Sequence, residues 1–385
     1  MTATTVSPET PLQQKIPAAP IRLEFLDGLR GLAALYVVLH HCVEEVEPFD
    51  GPHYSHWLRL ALKPLNLGHY SVGIFIVLSG YCLMLPVARS AGKTLKGGFR
   101  GYILRRAKRI LPPYYAALAL TLCFILLVPA TRNSDATQWG GNRTAFQIPV
   151  IVSHLLVAHN LSDAWSHRIN APMWSVATEW QIYFLFALIL LPVWRRFGNL
   201  ALLAVAVALG LALTFAFPVA QSACFWYIGL FAFGMVAATR LGKTGEAETR
   251  LWGVAAFAAV TALFGLSLVT SLKAILIQSD FITGVFGAAL ILYCAGRAQH
   301  GGSRLLRVLE SKAALWLGMF SYSLYLIHFP VLSTLHLALN AAHLSILGKL
   351  LAELTLGVGL SLAVGYGFYL LVERHFVRGH RAVKI

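Results

Sequence analysis

Residues 26–46 read LDGLRGLAALYVVLHHCVEEV, an apolar run interrupted by Asp27, Arg30, His40 and His41 and closed by Glu44 and Glu45. A helix needs about 20 mostly apolar residues to cross about 30 Å of hydrocarbon, and this run has that length. Working outward, runs that approach it between polar or Pro/Gly-rich loops cover 69–88, 112–129, 172–194, 199–217, 224–240, 251–270, 278–296, 313–339 and 346–373. The sequence therefore predicts an all-α integral membrane protein with about ten transmembrane helices. Composition agrees, since the 385 residues are 57% hydrophobic and only 12% charged, against about 25% charged in a soluble domain. That excludes an ordinary soluble enzyme, a disordered chain and a nucleic-acid partner, because a basic protein built for nucleic acid would not also be this apolar.

Residues 1–21 hold Pro8, Pro11, Pro17 and Pro20 and no long apolar stretch. They read as a flexible cytoplasmic tail rather than a cleavable signal peptide. Residues 22–375 form the membrane domain, and 376–385 a basic cytoplasmic tail. The longest loop, 130–171, carries Trp139-Gly140-Gly141 and an apolar patch around Ile148 to Leu156 suited to an interfacial or re-entrant segment. Cytoplasmic loops hold the excess of Lys and Arg. With the N-terminus inside, 24 of the 31 basic residues fall on inner segments, eight of them in 89–112. Both termini are thereby assigned to the cytoplasm. Cys42, Cys82, Cys123, Cys224 and Cys294 lie inside or at the edge of spans with no C-x-x-C spacing, so neither disulfides nor a metal site is expected.

An ionisable residue at the centre of a membrane helix costs about 2.5–3.5 kcal/mol, which makes each one a functional candidate. They are Arg30, His40, His41, Glu179, His328, His336, Lys349 and Glu353. Arg30 and His41 return to nearly one helix face about 16 Å apart, where they can hold opposite ends of a ligand. The alternative is an Arg snorkelling to headgroups and a His packed against a neighbouring helix. His41 and His328 each lie 15 residues from a predicted inner end, and Glu179 and Glu353 each 7 from a predicted outer end. At about 1.5 Å per residue all four share one layer some 20 Å from the cytoplasm. A His beside a carboxylate there can act as a general base. Glu353 has a second reading, pairing with Lys349 one turn away.

Between Phe99 and Ile110 five basic residues precede the third span, among them Arg105, Arg106 and Arg109. Such a run is either a positive-inside anchor or a polyphosphate site, because Arg offers bidentate hydrogen bonds to phosphate. Two further strings stand out. Ser79-Gly80 in Phe75 to Tyr81 permits close helix approach, and Trp174 to Tyr183 sets Ser175 and Glu179 one turn apart on a common face.

Together these strings resemble the acyltransferase 3 family of integral membrane O-acyltransferases. Leu26 to Ala33 followed by His41 is similar to the family's opening Arg-x10-His motif. Phe75 to Tyr81, Arg105 to Pro112, Trp174-Ser175 with Glu179 and Tyr183, and Tyr322 to Pro330 follow in family order. The resemblance implies that His41 is the catalytic His, that Arg30 supports it or the donor, and that Arg105, Arg106 and Arg109 meet coenzyme A phosphates. Glu179 would join them in catalysis, and Ser175, Tyr325 and His328 would bind substrate. The family's terminal Glu-Arg-Pro reads Glu373-Arg374-His375 here, which alters how the last helix ends.

The expected function is transfer of an acyl group, most simply acetyl, from acyl-CoA to a hydroxyl of a carbohydrate or glycosylated small molecule. His41 serves as general base, acyl-CoA (acetyl-CoA) as co-substrate, and no cofactor or metal is bound. The expected location is the cell (plasma or inner) membrane. A secondary transporter or flippase, relaying protons through buried His and Glu, is the alternative.

Overall fold

The computed structural model describes residues 23–49, 51–133 and 146–377. The tails at 1–21 and 378–385 and the Trp139-Gly140-Gly141 string lie outside these residues. Within them every regular element is helical. The elements that matter for the site are α1 (Phe25–Val46), α2 (Gly68–Arg89), α3 (Gly98–Leu127), α4 (Ile148–Leu155), α5 (Met173–Leu185), α6 (Leu191–Ala216), α7 (Tyr227–Arg240), α8 (Glu246–Val269), α9 (Leu276–Gln299), α10 (Lys312–Met319), α11 (Ser321–Ala341), α12 (Ile346–Ala352) and α13 (Val358–Leu371).

Eight helical runs among the described residues are long and apolar enough to cross a membrane: those containing α2, α3, α5 with α6, α7, α8, α9, α11, and α12 with α13. The α5–α6 run spans 44 residues from Met173 to Ala216. It passes through a π turn at Phe186–Leu190 and breaks at Gly198, whose φ of +82° suits glycine. α1 is 22 residues long and carries charged residues at both ends, so it is not among the eight.

Two of the differences from the expected boundaries bear on the site. The expected span 313–339 is two helices parted at Phe320, so His328 lies 7 rather than 15 residues into its own helix. The expected span from 112 begins instead at Gly98. Gly97 and Gly98, with φ of +70° and +64°, turn the chain into this helix, and the whole arginine run becomes helical.

α2 sits at the centre, packed on α1, α7 and α9, while α1 also packs on α10 and α11. A methyl built on Gly80 would lie 2.1 Å from the Phe231 carbonyl oxygen, and one on Gly234 1.9 Å from that of Val77. Close approach of this kind is what small residues permit where apolar surroundings leave van der Waals contact as the main attraction. Gly234→Val forces the α2 and α7 backbones apart, and overpacking of this sort costs about 1–3 kcal/mol. A fall of several degrees in the melting temperature of the detergent-solubilised protein is expected; an unchanged melt would contradict this packing.

At the periphery, Leu200, Val254 and Phe257 are 82%, 65% and 71% exposed. Large apolar groups turned outward in this way suit lipid rather than water. The connection after α3 is short helices held by buried polar groups. Tyr114 Oη donates to the His154 carbonyl at 2.9 Å, and Asn170 Nδ2 to that of Leu326 at 2.9 Å. Burial and the neighbouring His154 ring, stacked 4.0 Å away, hold His159 well below the usual histidine pKa. Ile148, Val152, Leu155 and Leu156 remain outside, giving α4 an apolar outer face as the interfacial reading expects.

Candidate active site

On α2, residues Val72, Phe75, Ile76, Ser79, Leu83 and Pro86 recur at helical spacing and form one wall of a cavity of about 810 Å³. α3 supplies a second wall through Tyr102, Arg105, Arg106, Arg109 and Ile110. These positions are i, i+3, i+4, i+7 and i+8, so helix geometry selects three of the five basic residues and turns Arg100 and Lys108 away. Arg30 from α1, Ser175, Glu179 and Tyr183 from α5, and Tyr322 and Tyr325 from α11 also line it. Seven of the nine residues given catalytic or substrate-binding roles from the sequence thus face one space.

Charge is unevenly distributed around that space. Four arginines and Lys96 share it with one carboxylate, Glu179. Arg105 Nη2 donates to the Lys96 carbonyl at 2.6 Å at the exposed end. Arg106 Nε is buried with no hydrogen-bond partner among the described residues. Arg30 donates to Asp27 Oδ1 and to Cys82 Sγ, each at 3.1 Å. Glu179 accepts from Tyr183 Oη at 2.7 Å and from Ser79 Oγ. An unpartnered guanidinium nitrogen within a cationic cleft leaves a donor able to meet an anion.

His41 and His328 do not line the cavity. They form a pair behind its buried end, with His328 Nε2 3.1 Å from His41 Nδ1. The proton order follows from the acceptors. His328 Nδ1 lies 3.1 Å from the Leu324 carbonyl and must donate there, which leaves a lone pair on Nε2. His41 Nδ1–H is then shared between His328 Nε2 and the Val37 carbonyl at 3.0 Å. The lone pair of His41 consequently sits on Nε2, the nitrogen a general base would use. Tyr325 joins the two groups: its ring lies 5.9 Å from that of His328, and its hydroxyl donates to Pro172 at 3.0 Å and contacts Ser175 Oγ at 2.7 Å.

Several expectations need correction. Glu179 is not a hydrogen-bond partner of His41; it is held by Ser79 and Tyr183 because its helix faces α2 rather than α1. Glu353 does not pair with Lys349: it is fully buried where a π turn at Glu353–Gly357 carries it toward His336, whose Nδ1 is 3.7 Å away. His336 is buried within the protein. His40 and Glu44, with Nε2 and Oε2 3.2 Å apart, form with His41 a group whose ligand atoms lie within 4.8 Å of one another. Ser79 and Tyr183, read for packing or family likeness, prove to be the carboxylate's partners; their helical register with Phe75 and Glu179 was the available signal.

Residues 23–370 match the Acyl_transf_3 family, described as an acyltransferase domain. The chain belongs to that family. Among curated relatives, O-acetyltransferase OatA of Staphylococcus aureus is 23% identical over 336 residues, covering 82% of this chain and 51% of the relative. Peptidoglycan O-acetyltransferase OatA of Listeria monocytogenes is 21% identical over 333 residues, or 80% of this chain and 49% of the relative. A putative peptidoglycan O-acetyltransferase, YrhL, of Bacillus subtilis is 27% identical over 172 residues, 43% of this chain and 23% of the relative. The chain thus spans about half the length of the OatA relatives. No solved structure matches it. The family and the long apolar helices together make it a multi-pass membrane protein.

Proposed function

We propose that this chain is an O-acyltransferase of the plasma (inner) membrane that moves an acyl group, most simply acetyl, from acyl-CoA to a hydroxyl of a carbohydrate or glycosylated small molecule. The observation that carries this reading is a single cavity with arginines at its exposed end and the His41–His328 pair behind its buried end. Counting the Met173–Ala216 run twice and α1 once brings the crossings to ten, with both termini and the arginine mouth on the cytoplasmic side. Arg105, Arg106 and Arg109 bind the donor's phosphates. The pantetheine arm follows the α2 wall toward Ser175 and Tyr325.

There the acceptor hydroxyl attacks the thioester carbonyl as His41 Nε2 takes its proton. A carbon–oxygen bond forms, the carbon–sulfur bond breaks, and the proton passes to the leaving thiolate as free coenzyme A. His328 keeps His41 in the required tautomer, and Glu179 with Arg30 shapes the cavity wall. Tyr325 positions Ser175 at the junction. Removing its hydroxyl in Tyr325→Phe frees Ser175 and forfeits hydrogen bonds each worth about 1 kcal/mol of stability, so a modest fall in melting temperature and, from the loosened Ser175, about a tenfold fall in kcat are expected; full activity would remove Tyr325 from the mechanism.

The reading is tested with purified protein in lipid nanodiscs, radiolabelled acetyl-CoA and soluble saccharides. Label in the saccharide and stoichiometric coenzyme A release are expected. Reconstituted vesicles that move saccharide with neither coenzyme A release nor labelled product would replace the enzyme with a transporter.

A further inference from the structure

The stripe of α2 that walls the cavity does not end at Val72. One turn further lies His69, seven positions before Ile76 and on the same face, where the proposed topology places the outer end of the helix. His69 is half-buried, with Nε2 3.3 Å from Asp280 Oδ1. The Asp280 side chain is fully enclosed, and its Oδ2 accepts from Trp226 Nε1 at 2.8 Å. The His69 ring stacks on Trp174, with centroids 6.1 Å apart and planes 15° apart, and Tyr227 Oη is 3.2 Å from its Nε2. Trp174 directly precedes Ser175, so this cluster and the Tyr325–Ser175 junction are adjacent.

A carboxylate sealed away from water is costly unless paired and hydrogen-bonded. Asp280 is paired with a histidine whose side chain is still 29% exposed and whose helical position continues the α2 stripe beyond Val72, although His69 itself does not line the cavity. The result is a polar edge beside the half-buried Trp174 ring, one helical turn beyond the cavity-lining Val72 and away from the arginines, with Tyr227 fully buried behind it. Aromatic faces accept the apolar C–H faces of a pyranose ring, while an imidazole–carboxylate pair satisfies its hydroxyls.

We propose that His69 and Trp174, backed by the buried Asp280 and Tyr227, form the acceptor subsite, which receives a carbohydrate and presents one of its hydroxyls toward His41. His69 touches the sugar, and Asp280 is a positioning residue acting through it. The inference rests on the acyltransferase reading above and adds where the acceptor binds. Neither the family strings nor the intramembrane charges had marked His69 or Asp280.

The test uses full-length protein in nanodiscs with radiolabelled acetyl-CoA and a panel of N-acetylglucosamine oligosaccharides and p-nitrophenyl glycosides as acceptors. For any saccharide accepted by the wild type, His69→Ala should raise the acceptor KM at least tenfold while the acetyl-CoA KM stays within twofold. Asp280→Asn should raise the acceptor KM less, Trp174→Ala should raise it, and Trp174→Phe should largely restore it. A His69→Ala protein that does not fold is replaced by His69→Gln, which keeps a donor and should give an intermediate KM. Acceptor KM values within twofold of wild type in these variants overturn the subsite and leave the acyltransferase standing. Acceptor and donor KM values that rise together with a lowered melting temperature show a merely structural cluster and also overturn it. A wild type that labels no saccharide in the panel overturns the carbohydrate reading, and the subsite with it.

Discussion

Replacing His41 with alanine should lower kcat about a thousandfold while leaving acetyl-CoA binding within twofold. The size follows from general base catalysis, which contributes about 10²–10⁴-fold. The selectivity follows from position, because His41 does not line the arginine-bearing cavity and is linked to it only through His328, whose ring lies beside Tyr325. His328→Ala should cost less, about ten- to a hundredfold: it removes the acceptor that shares the His41 Nδ1 proton, while the Val37 carbonyl at 3.0 Å still holds that tautomer. Both variants should melt near the wild-type temperature in nanodiscs, and turnover is read as coenzyme A release. A folded His41→Ala protein that turns over at the wild-type rate would remove His41 from the chemistry.

The second large effect concerns the donor. Arg105 and Arg109 lie one turn apart on the cavity face of α3, and hydrogen bonds to charged groups are worth about 1.5–3 kcal/mol each. The Arg105→Ala/Arg109→Ala double variant should therefore weaken acetyl-CoA binding about a hundredfold or more, with kcat at saturating donor changed little. Binding to the wild type should also weaken as salt rises, since the contacts are ionic and partly exposed. Replacing Arg100 and Lys108, which belong to the same basic run but face away from the cavity, should leave the donor Kd within twofold. Equal losses from the two pairs would mean that the run acts as a general lipid anchor. Titration with a fluorescent acyl-CoA distinguishes the outcomes.

That comparison also shows how far the sequence could be read. Helical spacing alone put Arg105 and Arg109 one turn apart and put Ser175 on the face of Glu179, and the structure keeps both relations. Such relations are local, fixed by 3.6 residues per turn whatever the rest of the chain does. His41 and His328, which depth arithmetic set in one layer, do touch, although the break at Phe320 moved the start of α11. It failed to bring Glu179 and Glu353 to His41. Residues at one depth in a bundle can face different neighbours, and depth carries no information about azimuth.

The membrane character of the chain and its candidate charges were determined by the sequence alone, because hydrocarbon tolerates only long apolar helices and penalises every exception. Tertiary structure decided which exceptions meet. Glycine contacts at Gly80 and Gly234 bring α2 and α7 together, the break at Phe320 sets the level of His328, and the pairing of Asp280 with His69 joins α9 to α2. These depend on helix crossing and rotation, which follow from side-chain packing between segments far apart in the chain and have no local signature.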